Sequence, residues 1–414
     1  MKNEIALLLL SLIILVSCQK EMDDSADTIY FGGDILTMEG NHPKYVQAVA
    51  VKKGEIIFAG SIDQIEKFQG HKTEMKDIKG KTMLPGFIDA HGHLWNAGFQ
   101  ALSANLLPAP DGACNDIDAI ISLLNNWKSS NKNVIGKYGW IIGSGYDDAQ
   151  LKEKLPPTAD DLDKVSTEIP VMIIHQSGHL AVLNHKALEI AGYNSLSENP
   201  AGGVIRRKEG TTEPNGVLEE MAMFIPLFKM MAALDHQANE KIAEAGLKSY
   251  VRFGFTTAQE GRATRDVCDT WLKLANNNKL VIDVAAYPDI QTQMTYLKKN
   301  GIQNKYKNHF RIAGVKLSLD GSPQGKTAWL TKPYINPPPG QLKTYAGYPA
   351  FSKESDAAAL VDSAYKNNWQ ILAHCNGDAA IDQYIRAVRH AAKLYGKKTG
   401  VPLPYMHKPY VLTS

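Results

Sequence analysis

The sequence predicts an α/β protein, namely an incomplete (β/α)8 barrel with a small β portion in front of it. Three observations lead to this prediction. Short alternating strands and turns fill residues 28–82. After residue 82, apolar strands alternate with amphipathic helical stretches, which is typical of parallel βα units. One of these strands ends in two histidines, and the sites of (β/α)8 barrels lie at the carboxyl ends of their strands.

The composition is that of an ordinary globular protein and excludes several classes of function. The 414 residues include 45 Lys and Arg against 43 Asp and Glu, which gives a formal net charge of +2. A nearly balanced charge provides no basic surface for phosphates, so we expect no nucleic-acid partner. With 44% hydrophobic and 21% charged residues, the chain resembles neither a disordered protein nor a multi-span membrane protein.

The start of the chain predicts export. An apolar run over residues 5–16 is too short to span a bilayer as a helix and fits the core of a secretory signal. The run ends in Leu-Val-Ser followed by Cys18, which resembles a bacterial lipoprotein box and implies lipidation of that thiol. The alternative is an ordinary signal with an incidental cysteine. We therefore assign residues 1–17 to a signal peptide and residues 18–27 to a tether, and we expect a lipid-anchored protein of the bacterial cell envelope, on its periplasmic or outer-surface face.

Residues 28–82 are assigned to the small β domain and residues 83–414 to the barrel. The candidate barrel strands are Met83–Asp89, Pro170–Ile174, Gly254–Ala258, Val281–Tyr287, Ile312–Ser318 and Gln370–His374. The candidate helices include Asp118–Trp127, Leu180–Ala191, Glu240–Phe253, Cys268–Ala275 and Ser355–Asn368. A doubly wound sheet is the alternative fold, although no Gly-x-Gly-x-x-Gly segment opens a helix after a strand.

The most informative segment joins the first barrel strand to a pair of histidines. It reads Leu84-Pro85-Gly86-Phe87-Ile88-Asp89-Ala90-His91-Gly92-His93. His91 and His93 are two positions apart, so they point to the same side of an extended chain. Neutral imidazole is a common zinc ligand, and the pair therefore predicts a site for a divalent metal. Two neighbouring histidines alone are a weak signal, but the preceding Pro-Gly-Phe-Ile-Asp makes it specific.

This segment resembles the first-strand signature of the amidohydrolase superfamily, and four further motifs resemble its branch called amidohydrolase family 3. In the order of that family, they are His175-Gln176-Ser177-Gly178-His179, Gly254-Phe255-Thr256-Thr257, Val315-Lys316-Leu317-Ser318-Leu319-Asp320-Gly321-Ser322 and His374-Cys375-Asn376-Gly377-Asp378-Ala379-Ala380. The resemblance covers about residues 28 to 390. It implies a TIM-barrel-type metal-dependent hydrolase, in which residues 28–82 form the N-terminal half of a small β-sandwich.

The resemblance also implies roles for individual residues. His91, His93 and His374 would bind one or two divalent ions, most simply zinc, although His374 alone could equally be a buried core histidine. Lys316 would be a carbamylated ligand, whose oxygen atoms suit such metals, or a charged contact to the substrate. A salt bridge between Lys316 and Asp320 is the alternative. Lys316 and Asp320 are the predicted catalytic residues.

A second histidine pair is expected at the substrate. His175 and His179 have the spacing of the HExxH zinc motif, but no Glu follows His175 and Gly178 weakens a helix there. We expect one of the two to line the substrate pocket and the other to hold a loop. Glu260 follows another strand and is expected to be an exposed loop carboxylate, the alternative being a ligand or a substrate contact.

Together these residues predict a hydrolase that cleaves non-peptide carbon–nitrogen bonds, of the amide or formamide type, in small molecules through a metal-activated water. In the superfamily, a further metal-binding His and a proton-transferring Asp follow the strand that corresponds to His374. No residue of this chain matches them, so we expect a C-terminally shortened member. A non-catalytic, membrane-tethered remnant or a ligand-binding lipoprotein is the alternative function, and an oligomer is compatible with the sequence.

Overall fold

The computed structural model describes most of the chain, namely residues 25–200, 202–338 and 341–396 and the backbone of residues 410–412. The predicted signal peptide and the lipidation site Cys18 lie outside the described residues. In the part that is described, no helix combines the length and the apolar character needed to cross a membrane. The chain divides into two compact units, with the boundary between Gly86 and Phe87.

The first unit contains one five-stranded sheet. Its strands are β1 (Thr28–Leu36), β2 (Tyr45–Lys52), β3 (Glu55–Gly60), β4 (Glu74–Asp77) and β5 (Thr82–Met83), and its helix is α1 (Ile62–Ile65), which a 3₁₀ turn over Glu66–Phe68 follows. Strand β1 pairs antiparallel with β2 and parallel with β4 and β5. Ile29, Ala48 and Ile65 form its core, with Phe58 and Phe68 packed against it. The predicted β portion is therefore present, whereas a sandwich with a second sheet stays a prediction.

The second unit contains the remaining strands and helices. In chain order they are β6 (Phe87–Ile88), α2 (Leu94–Leu102), β7 (Ala104–Asn105), α3 (Ile117–Ser130), α4 (Lys132–Tyr138), β8 (Ile141–Tyr146), α5 (Ala159–Asp163), β9 (Val171–His175), β10 (Leu180–Leu183), α6 (His185–Ala191), β11 (Gly203–Arg207), β12 (Pro214–Glu220), α7 (Met221–Ala232), α8 (His236–Arg252), β13 (Phe255–Ala263), α9 (Arg265–Asn276), β14 (Asp283–Pro288), α10 (Met294–Asn300), β15 (Phe310–Ile312), β16 (Val315–Ser318), α11 (Glu354–Lys366), β17 (Ile371–His374), α12 (Asp378–Tyr395) and β18 (Tyr410–Leu412).

Two parallel sheets of this unit have the strand order expected of a barrel wall. Strands β6, β13, β14 and β15 pair side by side in chain order. Strands β16, β17 and β18 form the other sheet, again in chain order. A parallel bridge between Asp289 and Lys316 joins the two sheets. Helices connect the successive strands within each sheet from β13 onward, as the alternating pattern predicts, whereas only residues 313–314 separate β15 from β16. Closure of these strands into a barrel stays a prediction.

The sequence predictions for two elements of this unit are wrong. The strand predicted at Pro170–Ile174 forms as β9, but it belongs to a separate mixed sheet with the order β11-β12-β10-β9-β8-β7, inserted between β6 and β13. The apolar pattern of a buried strand is the same in either sheet, so it does not distinguish them. The helix predicted at Leu180–Ala191 begins only after Asn184, whose side chain caps it by accepting the Ala187 N–H. The residues before it form β10.

Close packing of α2 against α8 holds the segment that carries the first histidine pair. Helix α2 begins directly after His93. A Cβ atom at Gly98 would overlap the carbonyl oxygen of Ile242, and one at Gly246 would overlap the carbonyl oxygen of Leu94. The two helix backbones therefore touch at positions that only glycine can occupy.

We expect Gly98→Ala to lower the free energy of unfolding by about 1–3 kcal/mol, because the added methyl group pushes the two helices apart. Urea denaturation measures this change. Gly136→Ala in α4 is the matched control, since no atom outside the neighbouring backbone of its own helix lies within 4 Å of the position of its Cβ. That change should stabilise the protein by about 0.5–1 kcal/mol through helix propensity. Equal effects of the two substitutions would contradict the packing argument.

Candidate functional site

A cavity of about 410 Å³ opens at the carboxyl ends of the parallel strands, where barrel sites are expected. Strand ends contribute one wall through His93, Glu260, Arg262, Lys316 and His374. The inserted sheet and α7 contribute the other walls, through residues 176–179 and several apolar side chains. The cavity therefore contains His93, Lys316, His179 and His374 among the residues that the sequence singles out.

His91, His93 and Lys316 lie together at the end of β6. The Nε2 atom of His91 is 3.5 Å from Nζ of Lys316, and the rings of His91 and His93 are 5.7 Å apart. The Nδ1–H of His93 donates to the carbonyl oxygen of Gly261 at 2.7 Å, which leaves Nε2 for a ligand. Burial, and then the charge of Lys316, lowers the pKa of His93 to about 3. His93 is therefore neutral near pH 7, as a metal ligand must be.

Lys316 is buried, with 2% of its surface exposed. Burial, and then the nearby Arg262, lowers the pKa of Lys316 to about 8. No ion pair joins Lys316 to Asp320 in the described structure. The alternative of a salt bridge between these two residues therefore does not form, and carbamylation of Lys316 stays a prediction.

Asp320 is held by backbone amides. Its carboxylate accepts N–H groups from Trp329 at 3.0 Å, Asn376 at 2.9 Å and Gly377 at 2.7 Å. Gly377 precedes the first residue of α12, so Asp320 fixes the start of that helix. These contacts indicate a structural role, and they do not favour the catalytic role predicted for Asp320.

His374 lies at the end of β17 and faces the same cavity. Its Nε2–H donates to the carbonyl oxygen of Gly321 at 2.9 Å, so Nδ1 is the nitrogen left for a ligand. Burial lowers the pKa of His374 well below its usual value. The ring centroid of His374 lies 5.0 Å from that of His179.

The histidines of the 175–179 segment lie in different places. His179 lines the cavity, and its Nδ1 atom faces the carboxylate of Glu220 at 3.0 Å. His175 is buried at the end of β9, where the backbone N–H of Ser177 donates to its Nδ1 atom at 3.0 Å. His179 is therefore the member of the pair that can contact a bound molecule.

His175 also belongs to a cluster with Asp147 and Asp148, whose ligand atoms all lie within 4.8 Å of one another. Such spacing could hold a cation, but a coordinating nitrogen must be unprotonated. Because the Ser177 amide donates to Nδ1, the ring proton lies on Nε2, which is 3.5 Å from Asp147 and 3.3 Å from Asp148. Bonding to His175 lowers the pKa of Asp147 to about 2. The cluster is better explained as a polar support for the loop, in which the Nε2–H group of His175 faces the two carboxylates.

Glu260 corrects an expectation of the sequence analysis. It is 3% exposed rather than an exposed loop residue, because strand β13 continues to Ala263. Its Oε2 atom accepts the backbone N–H of Trp95 at 2.6 Å and the indole N–H of Trp271 at 3.0 Å. Burial raises the pKa of Glu260 to about 8. No local pattern marks the burial of this carboxyl group, since its donor Trp95 is distant in sequence.

The apolar wall of the cavity is also not predicted from the sequence. It includes Met223, Phe224, Leu227, Phe228 and Met231 of α7. The guanidinium of Arg262 lies 4.3 Å from the ring centroid of Phe224. Polar groups at the strand ends thus face an apolar surface, an arrangement suited to a small molecule with one polar and one apolar end.

Comparisons with known proteins are consistent with this geometry. The model of the amidohydrolase family matches residues 74–407. Protein LONG AFTER FAR-RED 3 of Arabidopsis thaliana is 27% identical over 389 residues, which cover 90% of this chain and 63% of that protein. N-substituted formamide deformylase of Arthrobacter pascens is 25% identical over 246 residues, or 59% of this chain and 44% of that protein. The chain thus spans less than two thirds of the length of these relatives.

A solved structure has the same fold. The crystal structure of an uncharacterized metal-dependent hydrolase from Pyrococcus horikoshii aligns with a TM-score of 0.64 and 24% identity, over 88% of this chain and 68% of that one. The family match covers most of the chain and includes all five sequence motifs. The resemblance noted in the sequence is thereby confirmed at the level of the family: this chain belongs to the amidohydrolase family.

Proposed function

We propose that this protein is a metal-dependent hydrolase that cleaves amide-type carbon–nitrogen bonds in small molecules other than peptides. The observation that carries the proposal is the convergence of His91, His93, Lys316 and His374 at one end of the parallel strands. The family and the relative named N-substituted formamide deformylase support the class of bond.

The donor set fits a divalent cation, most simply zinc. The carbonyl oxygen of Gly261 bonds one ring nitrogen of His93, and that of Gly321 bonds one ring nitrogen of His374. In each ring the other nitrogen is left for a ligand. A carbamylated Lys316 would add oxygen donors next to His91 and would suit a second ion. When bound, the metal would polarise the substrate carbonyl and make a water molecule more acidic.

The remaining residues bind and orient the substrate. The apolar side chains of α7 would contact an apolar substituent on the amide nitrogen and keep water from that side of the cavity. His179 would contact the polar amide group, and the His175 cluster would hold the loop that carries His179. These assignments describe a substrate with a small acyl group and a larger apolar N-substituent.

We also propose that the mature protein is exported and anchored to the cell envelope by a lipid on Cys18. The apolar run and the lipoprotein-type segment before Cys18 support this location. The partner in this proposal is the membrane surface.

We expect the purified protein, treated with zinc and then dialysed, to retain one or two zinc ions per chain. His91→Ala should weaken zinc binding at least about 10-fold, because it removes one donor of the proposed set. Mass spectrometry of metal content and competition with a chromophoric chelator measure the stoichiometry and the affinity. His185→Ala is the control, since His185 bonds the carboxylate of Asp163 and does not line the cavity. Unchanged zinc binding in the His91 variant would overturn the metal site.

We expect the zinc-loaded protein to hydrolyse a formamide with an aromatic N-substituent, to lose this activity with a chelator and to regain it with zinc. Phe224→Ala should raise the KM for this substrate about 10-fold through lost apolar contact and leave unsubstituted formamide unaffected. Release of the aromatic amine measures the first reaction, and release of ammonia measures the hydrolysis of unsubstituted formamide. Phe253→Ala is the matched control, because Phe253 is exposed and does not line the cavity. Failure of the zinc-loaded protein to release amine from N-substituted formamides would contradict the proposed function.

A further inference from the structure

We propose that Glu220 fixes the ring proton of His179 and thereby makes the site selective for amides that carry an N–H group. The inference rests on the proposed amide hydrolysis and names a substrate class, secondary amides, for the same cavity. Glu220 belongs to none of the sequence motifs and does not line the cavity, so it acts as a positioning residue through His179.

Hydrogen bonding determines which nitrogen of His179 carries the proton. Both carboxylate oxygens of Glu220 lie 3.0 Å from Nδ1 of His179. A carboxylate accepts hydrogen bonds only, so Nδ1 carries the proton. In the neutral ring, Nε2 then has no proton and can accept a hydrogen bond in the cavity.

The carboxylate of Glu220 is held by several contacts. The hydroxyl of Thr327 donates to Oε1 at 2.7 Å, and a Cβ atom at Gly321 would overlap the same oxygen. The backbone of Glu220 has a φ of 48°, an unfavourable value for a glutamate. Such strain persists only where the surroundings fix the residue, and it concentrates at functional sites.

The position of His179 places its ring next to the proposed reaction centre. His179 lines the cavity beside His374, with their ring centroids 5.0 Å apart. The nitrogen of an amide is bonded directly to the carbonyl carbon, so an acceptor at this place can bind the N–H of a substrate whose carbonyl faces the proposed metal ligands. A tertiary amide has no N–H and would leave Nε2 without a partner.

The test compares a secondary formamide with its N-methylated counterpart, both with the same aromatic substituent. We expect the unaltered protein to prefer the secondary amide about 10- to 100-fold in kcat/KM, the range for loss of one buried hydrogen bond. In Glu220→Gln, the amide oxygen can keep the Thr327 bond while the NH₂ group donates to Nδ1, which moves the ring proton to Nε2. The preference should then fall below about 3-fold.

Glu219→Gln is the matched control, because Glu219 is the neighbouring buried carboxylate but bonds Arg206 at 2.6 Å and Tyr348 at 3.3 Å instead of His179. This variant should keep the preference. A preference that arose from steric exclusion of the methyl group would persist in Glu220→Gln. Persistence there, or equal use of both amides by the unaltered protein, would overturn the inference.

Two measurements separate this inference from the proposed function. Dissociation constants of the two amides are compared in a His91→Ala background, where turnover is expected to be lost, with and without Glu220→Gln. Nuclear magnetic resonance of protein labelled with ¹⁵N-histidine should show a ring with its proton on Nδ1 that Glu220→Gln alone removes. Absence of hydrolysis in the unaltered protein would count against the proposed function, whereas an Nδ1 proton that Glu220→Gln leaves unchanged would overturn the role of Glu220.

Discussion

The candidate site depends on the parallel pairing of β6 with β13. Strand β6 has only two residues, yet it places Asp89 where its carboxylate accepts the backbone N–H groups of His91 and Gln259. Two residues after His91, His93 donates to Gly261 on the same neighbouring strand. Segments that are far apart in sequence thus fix both histidines before any ligand binds. Such preorganisation lowers the entropic cost of binding a metal or a substrate.

The cavity combines contributions from two structural parts of the second unit. The parallel strands supply the nitrogen donors, whereas the inserted mixed sheet and α7 supply His179, its partner Glu220 and the apolar wall. The carboxyl ends of neighbouring parallel strands meet at one edge, which limits the positions of the donors. The positions of residues in the inserted sheet and α7 are not limited in this way. The sequence of this inserted part can therefore determine which substituent fits without moving the proposed metal ligands.

Sequence reasoning locates the parts of the site that local motifs encode. The sites of His91 and His93 can be predicted because their spacing and the preceding apolar strand occur in one continuous segment. The burial of Glu260 and the position of Glu220 are not predicted, since they depend on Trp95 and Thr327, which are distant in sequence. The sequence also predicts the wrong sheet for β9, because an apolar run indicates that a strand is buried but not which strands lie beside it. Strand register and long-range hydrogen bonds require the three-dimensional structure.

Backbone strain distinguishes two of the residues that sequence reasoning missed. Glu220 and Arg262 have φ values of 48° and 58°, which are unfavourable for residues with a Cβ atom. Each is held by side-chain contacts, Glu220 by Thr327 and Arg262 by a bond to Asp289 at 3.3 Å. If these contacts only stabilised their surroundings, another residue with a favourable φ value could occupy either position equally well. The strain instead directs the carboxylate of Glu220 to His179 and places Arg262 at the cavity wall, so its cost is explained by the geometry of the site.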